Sequence, residues 1–140
     1  MSMTPSLPLR IAAVVALLQF AAHLLLVVLA SPKHGPEEAA VIETMKSHRF
    51  DFLGAKRSYW DFYFGYALIA AIICLVEAIL FWQVAAFAGV RPALIRLIAG
   101  VFIGFNIVHA LLASRYFFIT PIITVVIIAL SLVLAFRAAA

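Results

Sequence analysis

Three ionisable side chains stand inside long apolar runs of the sequence: His23, Glu77 and His109. A charge in such surroundings is costly, so a residue of this kind usually faces the protein interior and has a partner. Gln19, Asn106, Thr120, Thr124 and Ser131 add uncharged polar groups to the same runs. Four chemistries fit these residue types. His23 and His109 as two inward imidazoles would span a haem iron, but no other haem signal accompanies them. A zinc or di-iron site would need more carboxylates than Glu77 alone, and the Glu-x-x-His pairs of di-iron bundles are absent. A His–Glu–Tyr proton relay that includes Tyr66 is chemically reasonable. Hydrogen bonding between helices, worth about 0.6 kcal/mol per bond, is the simplest reading and the favoured one. No metal and no cofactor is expected.

Spacing sorts these residues onto faces. Gln19 and His23 are four apart, as are Thr120 and Thr124, while Asn106 and His109 are three apart. Residues so spaced are neighbours on a helix. Tyr59, Tyr63, Tyr66, Ala70, Ile73 and Glu77 follow alternating steps of four and three. Depth then decides which can meet. At about 1.5 Å rise per residue, His23 and Asn106 lie roughly 4–5 Å from the middle of their spans on one side, and His109 roughly 9 Å. Glu77 falls roughly 6 Å to the opposite side. The expected cluster is therefore His23, Asn106, His109 and Thr124 with Tyr66 above them, and Glu77 deeper, near Gln19 and Ser131.

The elements that must carry these residues are membrane spans. Of the 140 residues, 67% are hydrophobic and only 11% charged, and the mean hydropathy is +1.19. A soluble domain carries about 25% charged residues. Four stretches reach the ~20 apolar residues that a crossing needs: about 9–30, 59–87, 92–113 and 117–136. Pro92 and Pro121 fit first turns of helices, where the missing N–H costs nothing. The last two links are only a few residues long, so the helices they join are antiparallel neighbours. The expectation is an all-α, integral-membrane four-helix bundle forming one domain over residues 1–140. Cleavage of the first span as a signal peptide is the rival reading, with Val28-Leu29-Ala30 as the cleavage site. Its run of about 20 residues is longer than the usual 7–15.

The formal net charge is +4. The cations sit in gaps between apolar runs without a basic stripe, which argues against nucleic acid and for loop ends at a membrane. With cytoplasmic termini, that side holds Arg10, Arg91, Arg96 and Arg137, against Lys33, Lys46, Arg49, Lys56, Arg57 and Arg115 opposite. Four against six opposes the positive-inside tendency. The expected topology is nonetheless both termini cytoplasmic, because the first span reads as a signal anchor. Cys74, the single cysteine, is expected to be a small packing residue.

Residues 31–58 form the longest loop. Pro36 followed by Glu37 and Glu38 reads as the start of a short interfacial helix, with Val41, Ile42 and Met45 along one stripe. A lid over a lipid-accessible cavity is the functional alternative. Gly54 is a natural turn position. Ser58 and Asp61 match a capping box at the start of the second span, and Tyr59, Trp60, Tyr63 and Tyr66 match an interfacial aromatic belt. Arg57, Ser58, Tyr59, Asp61 and Tyr63 form a second candidate site, for a lipid head group or a partner. Gly100 and Gly104 form a GxxxG pair pointing away from Asn106 and His109, a candidate oligomer face.

The pattern of His23, Met45, Phe50, Gly54, Arg57-Ser58 and Asp61-Phe62-Tyr63-Phe64-Gly65 resembles an uncharacterised family of small bacterial four-helix inner-membrane proteins named after a leptospiral locus tag. The resemblance covers nearly the whole chain, and the block from Arg57 to Gly65 is its most specific part. It implies the fold and an inner-membrane location, and it implies no chemistry. Without a nucleophile–base pair, phosphate loop or metal motif, the favoured function is a lipid- or partner-binding accessory protein. A membrane enzyme acting on a lipid-soluble substrate through His and Glu is the alternative, and an oligomeric transporter a further one. The expected partners are membrane lipid and a second copy or another membrane protein.

Overall fold

The structure, a computed structural model, describes residues 4–140. It is 79% helical. In chain order it holds α1 (Ser6–His23) running into a π-helical turn (Leu24–Val28), α2 (Pro36–Ser47), β1 (Arg49–Phe52), β2 (Ala55–Ser58), α3 (Tyr59–Ala86), α4 (Pro92–Tyr116) and α5 (Ile119–Ala138). Four helical segments are long and apolar enough to cross a membrane: Ser6–Val28, Tyr59–Ala86, Pro92–Tyr116 and Ile119–Ala138. The sequence places these within a few residues at each end. Phe117, expected inside the last helix, instead closes α4 in an extended conformation.

The chain divides into two compact units: Ala21–Ile73, and the residues up to Phe20 together with Cys74–Ala140. The second unit holds the core. Leu9, Ala12, Ala13 and Ala16 of α1, Ala78, Phe81 and Ala85 of α3, Ile95 and Ala99 of α4, and Ile128, Leu132 and Ala135 of α5 join in one buried cluster. Alanine dominates its composition. Small side chains let helices approach closely where lipid supplies no hydrophobic drive for association. Phe81, fully buried, fills the space that the alanines leave and stands edge-on to Phe102 at 5.0 Å. The outward faces stay apolar, as at Leu18, Ile72, Leu97, Leu111 and Leu130.

The other unit contains the long loop. Its short helix forms as expected, with Pro36 in the first turn and Glu37 and Glu38 beside the positive helix end. Val41 points outward, whereas Ile42 and Met45 are half-buried. The Glu38 carboxylate accepts hydrogen bonds from the Lys33 and His34 amides at 2.7 and 2.8 Å. Those bonds, the His34 amide first, hold its pKa below the ordinary 4.5. A depressed folded pKa means the contact is complete above 4.5 and is lost as pH falls through the lower folded value. The His34 amide resonance should therefore titrate with a midpoint below 4.5, and Glu38→Gln should abolish that titration.

A two-stranded antiparallel hairpin follows, of which the sequence announces only the turn at Gly54. Arg49 pairs with Ser58, Phe50 with Arg57, Asp51 with Lys56 and Phe52 with Ala55. Leu53 and Gly54 close it in two residues, both at positive φ, 52° and 82°. That is the primed-turn geometry whose twist matches paired strands. The Asp51 carboxylate accepts from the Gly54 amide at 3.0 Å. Strands this short offer only two or three alternations, too few to signal a strand by period.

Candidate functional site

The hairpin feeds directly into α3 through a capping box. The Ser58 amide donates to Asp61 Oδ2 at 2.8 Å, and the Asp61 amide donates to Ser58 Oγ at 3.2 Å. The two helix-end donors are thus satisfied reciprocally, as the spacing predicts. Ser58 is almost completely buried. Ser58→Ala should cost about 1 kcal/mol, read as a lower unfolding midpoint in detergent.

The box turns the hairpin back along α3. Phe50 packs on Tyr59 at 5.0 Å and on Phe62 at 6.3 Å, and Phe52 meets the edge of Phe62 at 5.3 Å. On the other side a cleft of about 320 Å³ opens between the hairpin and the first two turns of α3. Arg49, Lys56 and Arg57 line it from the strands, and Trp60, Asp61, Phe64 and Gly65 from the helix. Arg57 Nη1 donates to the Lys56 carbonyl at 2.9 Å, which holds the guanidinium close to the strand. The Lys46 ammonium lies over the Trp60 ring, 4.8 Å from its centroid. Arg49 Nη2 is 3.9 Å from Asp61 Oδ2, with both side chains well exposed, so the pair is worth little. Asp61 is already engaged in the cap, and three cations face the cleft against that one carboxylate. The floor is aromatic, and at Gly65 an added Cβ would meet nothing within 4 Å. Such a pocket suits a small anion carried on an apolar body.

Of the loop residues expected to form a site, Arg57 and Asp61 line the cleft. Ser58 serves the cap, and Tyr59 and Tyr63 are exposed on the outer surface of α3. Arg49, Lys56, Trp60, Phe64 and Gly65 are not among the expected site residues. The Asp51–Lys56 and Phe50–Arg57 pairings reveal them only once the Leu53-Gly54 turn fixes the register.

Comparison with known protein families, curated proteins and solved structures gives no match.

His23 Nε2 lies 3.0 Å from the Ala67 carbonyl; a carbonyl only accepts, so Nε2 is the donor. The π-helical turn begins at the next residue. Tyr66 is 68% exposed and faces outward, not over an interior cluster. On the helical face that runs from Tyr59 to Glu77, Tyr59, Tyr63, Tyr66 and Ile73 are exposed and Glu77 is buried, and the buried cluster takes in α3 from Ala78 onward. Cys74 is buried too.

Glu77 is 5% exposed and Asn106 1%. The Asn106 side chain stands beside the Glu77 carboxyl, a pairing that the expected depths do not predict. Two facts shift those depths. The hairpin clads the first turns of α3, and α4 ends at Tyr116 and not at Ala113 as expected. Asn106 Nδ2 donates to the Phe102 carbonyl at 2.9 Å, while Glu77 Oε1 and Asn106 Oδ1 are buried without a partner. Gln19 Oε1 is buried and unpartnered too. His109 is half-buried, with its ring edge-on to Phe105 at 5.9 Å. Thr124 and Ser131 donate to carbonyls of their own helix, Pro121 and Ile127. Asn106, Thr124 and Ser131 thus bond within their own helix, whereas His23 makes the expected kind of bond, from one helix to another. Among the described residues, no three His, Cys, Asp or Glu side chains gather closely enough to hold a metal ion.

The GxxxG pair divides. A Cβ at Gly100 would lie 3.7 Å from Phe136 of α5, so this chain's own ring occupies that position. Gly104 has open space around it.

Proposed function

We propose that this chain is a multi-pass protein of a bacterial inner membrane, a four-span bundle that binds the anionic head group of a lipid in the cleft between its hairpin and α3. The observation that carries this reading is the cleft itself: Arg49, Lys56 and Arg57 around a floor of Trp60, Phe64 and Gly65. Cations that meet aromatic rings at the mouth of an apolar helix match the chemistry of a phosphate ester on acyl chains. The outward apolar faces of all four long helices support the membrane location. The resemblance of the Arg57–Gly65 block to small inner-membrane proteins agrees with it. Both termini are then cytoplasmic. The loop cations that oppose the positive-inside tendency are accounted for by the cleft, which uses three of them. The protein serves as a lipid-binding accessory component, alone or with a second copy that approaches through the open Gly104 side of α4.

Trp60 reports on the cleft. In a Trp82→Phe background, an anionic short-chain phospholipid should change Trp60 emission, and a zwitterionic lipid of equal chain length should not. Gly65→Leu should suppress the response. Replacing a helical glycine favours the helix, and the added Cβ meets no atom, so lost binding would come with retained or improved stability. Equal responses to the two lipids would refute the reading.

One observation favours the enzyme alternative: the unpartnered Glu77 oxygen beside Asn106. His23 donates through Nε2 to the Ala67 carbonyl, which fixes its ring against Ala67 of α3 and not against Glu77.

A further inference from the structure

Leu53 occupies a position that its residue type does not account for. Its φ of 52° lies in the left-handed region, where a leucine costs about 1 kcal/mol and Asn or Gly would be at ease. Its side chain is 93% exposed, the most exposed large apolar side chain of the described residues. Among the described residues no packing repays either cost, since so little of the side chain is covered. Phe52 beside it is half exposed.

The hairpin's direction gives the reason. β2 ends at Ser58, and α3 starts at the next residue. Phe52, at the far end of β1, nonetheless touches Phe62 of α3, and Lys56 reaches the same cleft as Phe64 and Gly65. The strands therefore run back alongside the helix and do not project away from it. Three steps of strand cover about 10 Å, and the helix from Tyr59 to Gly65 covers about 9 Å. The tip accordingly lies level with the second turn of α3, the turn that carries Tyr63 and Tyr66, residues of the kind found where a spanning helix meets the head groups. The charges agree with this depth. Lys46, Arg49, Lys56 and Arg57 stand around the hairpin's base and flank, where an anionic head-group layer would lie, and the apolar tip extends past them.

We propose that the Phe52-Leu53 tip is inserted into the outer part of the bilayer that α3 crosses, a wedge that holds the hairpin at head-group level and opens the cleft sideways to lipid. The occupant of this apolar tip is lipid acyl chain, not a protein partner. The inference rests on α3 being a membrane span and does not require the cleft to be filled.

The test uses full-length protein in vesicles of mixed anionic and zwitterionic phospholipid, with Cys74→Ser removing the native thiol. An environment-sensitive fluorophore is attached in turn to Leu53→Cys, Phe52→Cys, Glu43→Cys on exposed α2 and Ile73→Cys midway along α3. Probes at 53 and 52 should emit in the blue-shifted range, be quenched by nitroxides on acyl chains and resist aqueous iodide. The probe at 43 should do the reverse. A lipid-like signal at 73 with water-like signals at both 53 and 52 overturns this inference and leaves the membrane reading intact. A water-like signal at 73 overturns the membrane reading itself. Using position 52 as well as 53 guards against a label that distorts the turn. Leu53→Asn, which eases the turn, should keep the fold but make the hairpin more accessible to protease in vesicles; unchanged protection also counts against insertion.

Discussion

Replacing Lys56 and Arg57 together by alanine should weaken binding of an anionic phospholipid by about 30-fold. Each basic residue near an anionic lipid surface contributes about 1 kcal/mol, and 1.4 kcal/mol corresponds to a tenfold change in affinity. Both side chains line the cleft. Neither takes part in the Ser58–Asp61 box that starts α3, so the thermal unfolding midpoint should hardly move. Arg49 remains and gives the variant its residual affinity. The loss should shrink as salt is raised, because these side chains are exposed to solvent and screened by ions. A titration of lipid into detergent-solubilised protein at two salt concentrations measures both effects. A change smaller than about threefold would show that the cations serve some other purpose.

Phe81→Ala should destabilise the protein by about 3 kcal/mol. The ring is fully buried in the cluster shared by the four long helices. In lipid the usual transfer contribution is nearly absent, since acyl chains are as apolar as the core. The cavity contribution persists: a vacated volume of order 100 Å³ at about 24 cal/mol per Å³ gives about 2 kcal/mol. Loss of the edge-on contact with Phe102 adds about 1 kcal/mol. Reversible unfolding in mixed micelles measures the sum. Ile79→Ala is the informative control. Ile79 lies on the same helix and is 53% exposed; where lipid covers it, the truncation should cost well under 1 kcal/mol, because lipid fills the space. Equal costs at 79 and 81 would contradict a core formed by the alanine-rich faces.

The long helices are legible because run length is a strong signal: about 20 consecutive apolar residues are hard to place anywhere but in a bilayer. Ser58 and Asp61 are legible because a capping box is local and depends on three-residue spacing. The hairpin is not. Its strands are four residues each, and its turn carries Leu53 at a position where Asn or Asp would have given the signal. Without the hairpin, Arg49 and Lys56 read as loop charges and the cleft is invisible. The interior is hard to read for a different reason. Depths counted from span midpoints assume that all four helices are centred at one level, and they take no account of the hairpin beside the first turns of α3. Hence Asn106 stands with Glu77 and not at a level set apart from it. Tyr66 shares a helical face with Glu77, but a face is covered only where a neighbour packs on it, and Tyr66 stays 68% exposed.

The most direct test of a membrane protein with an anionic head-group cleft is native mass spectrometry of the protein released from vesicles containing equal amounts of anionic and zwitterionic phospholipid. The prediction is an adduct with the mass of the anionic lipid, retained by the wild-type chain and lost from the Lys56→Ala/Arg57→Ala variant. Adducts of both lipids in equal proportion, unchanged in that variant, would contradict it.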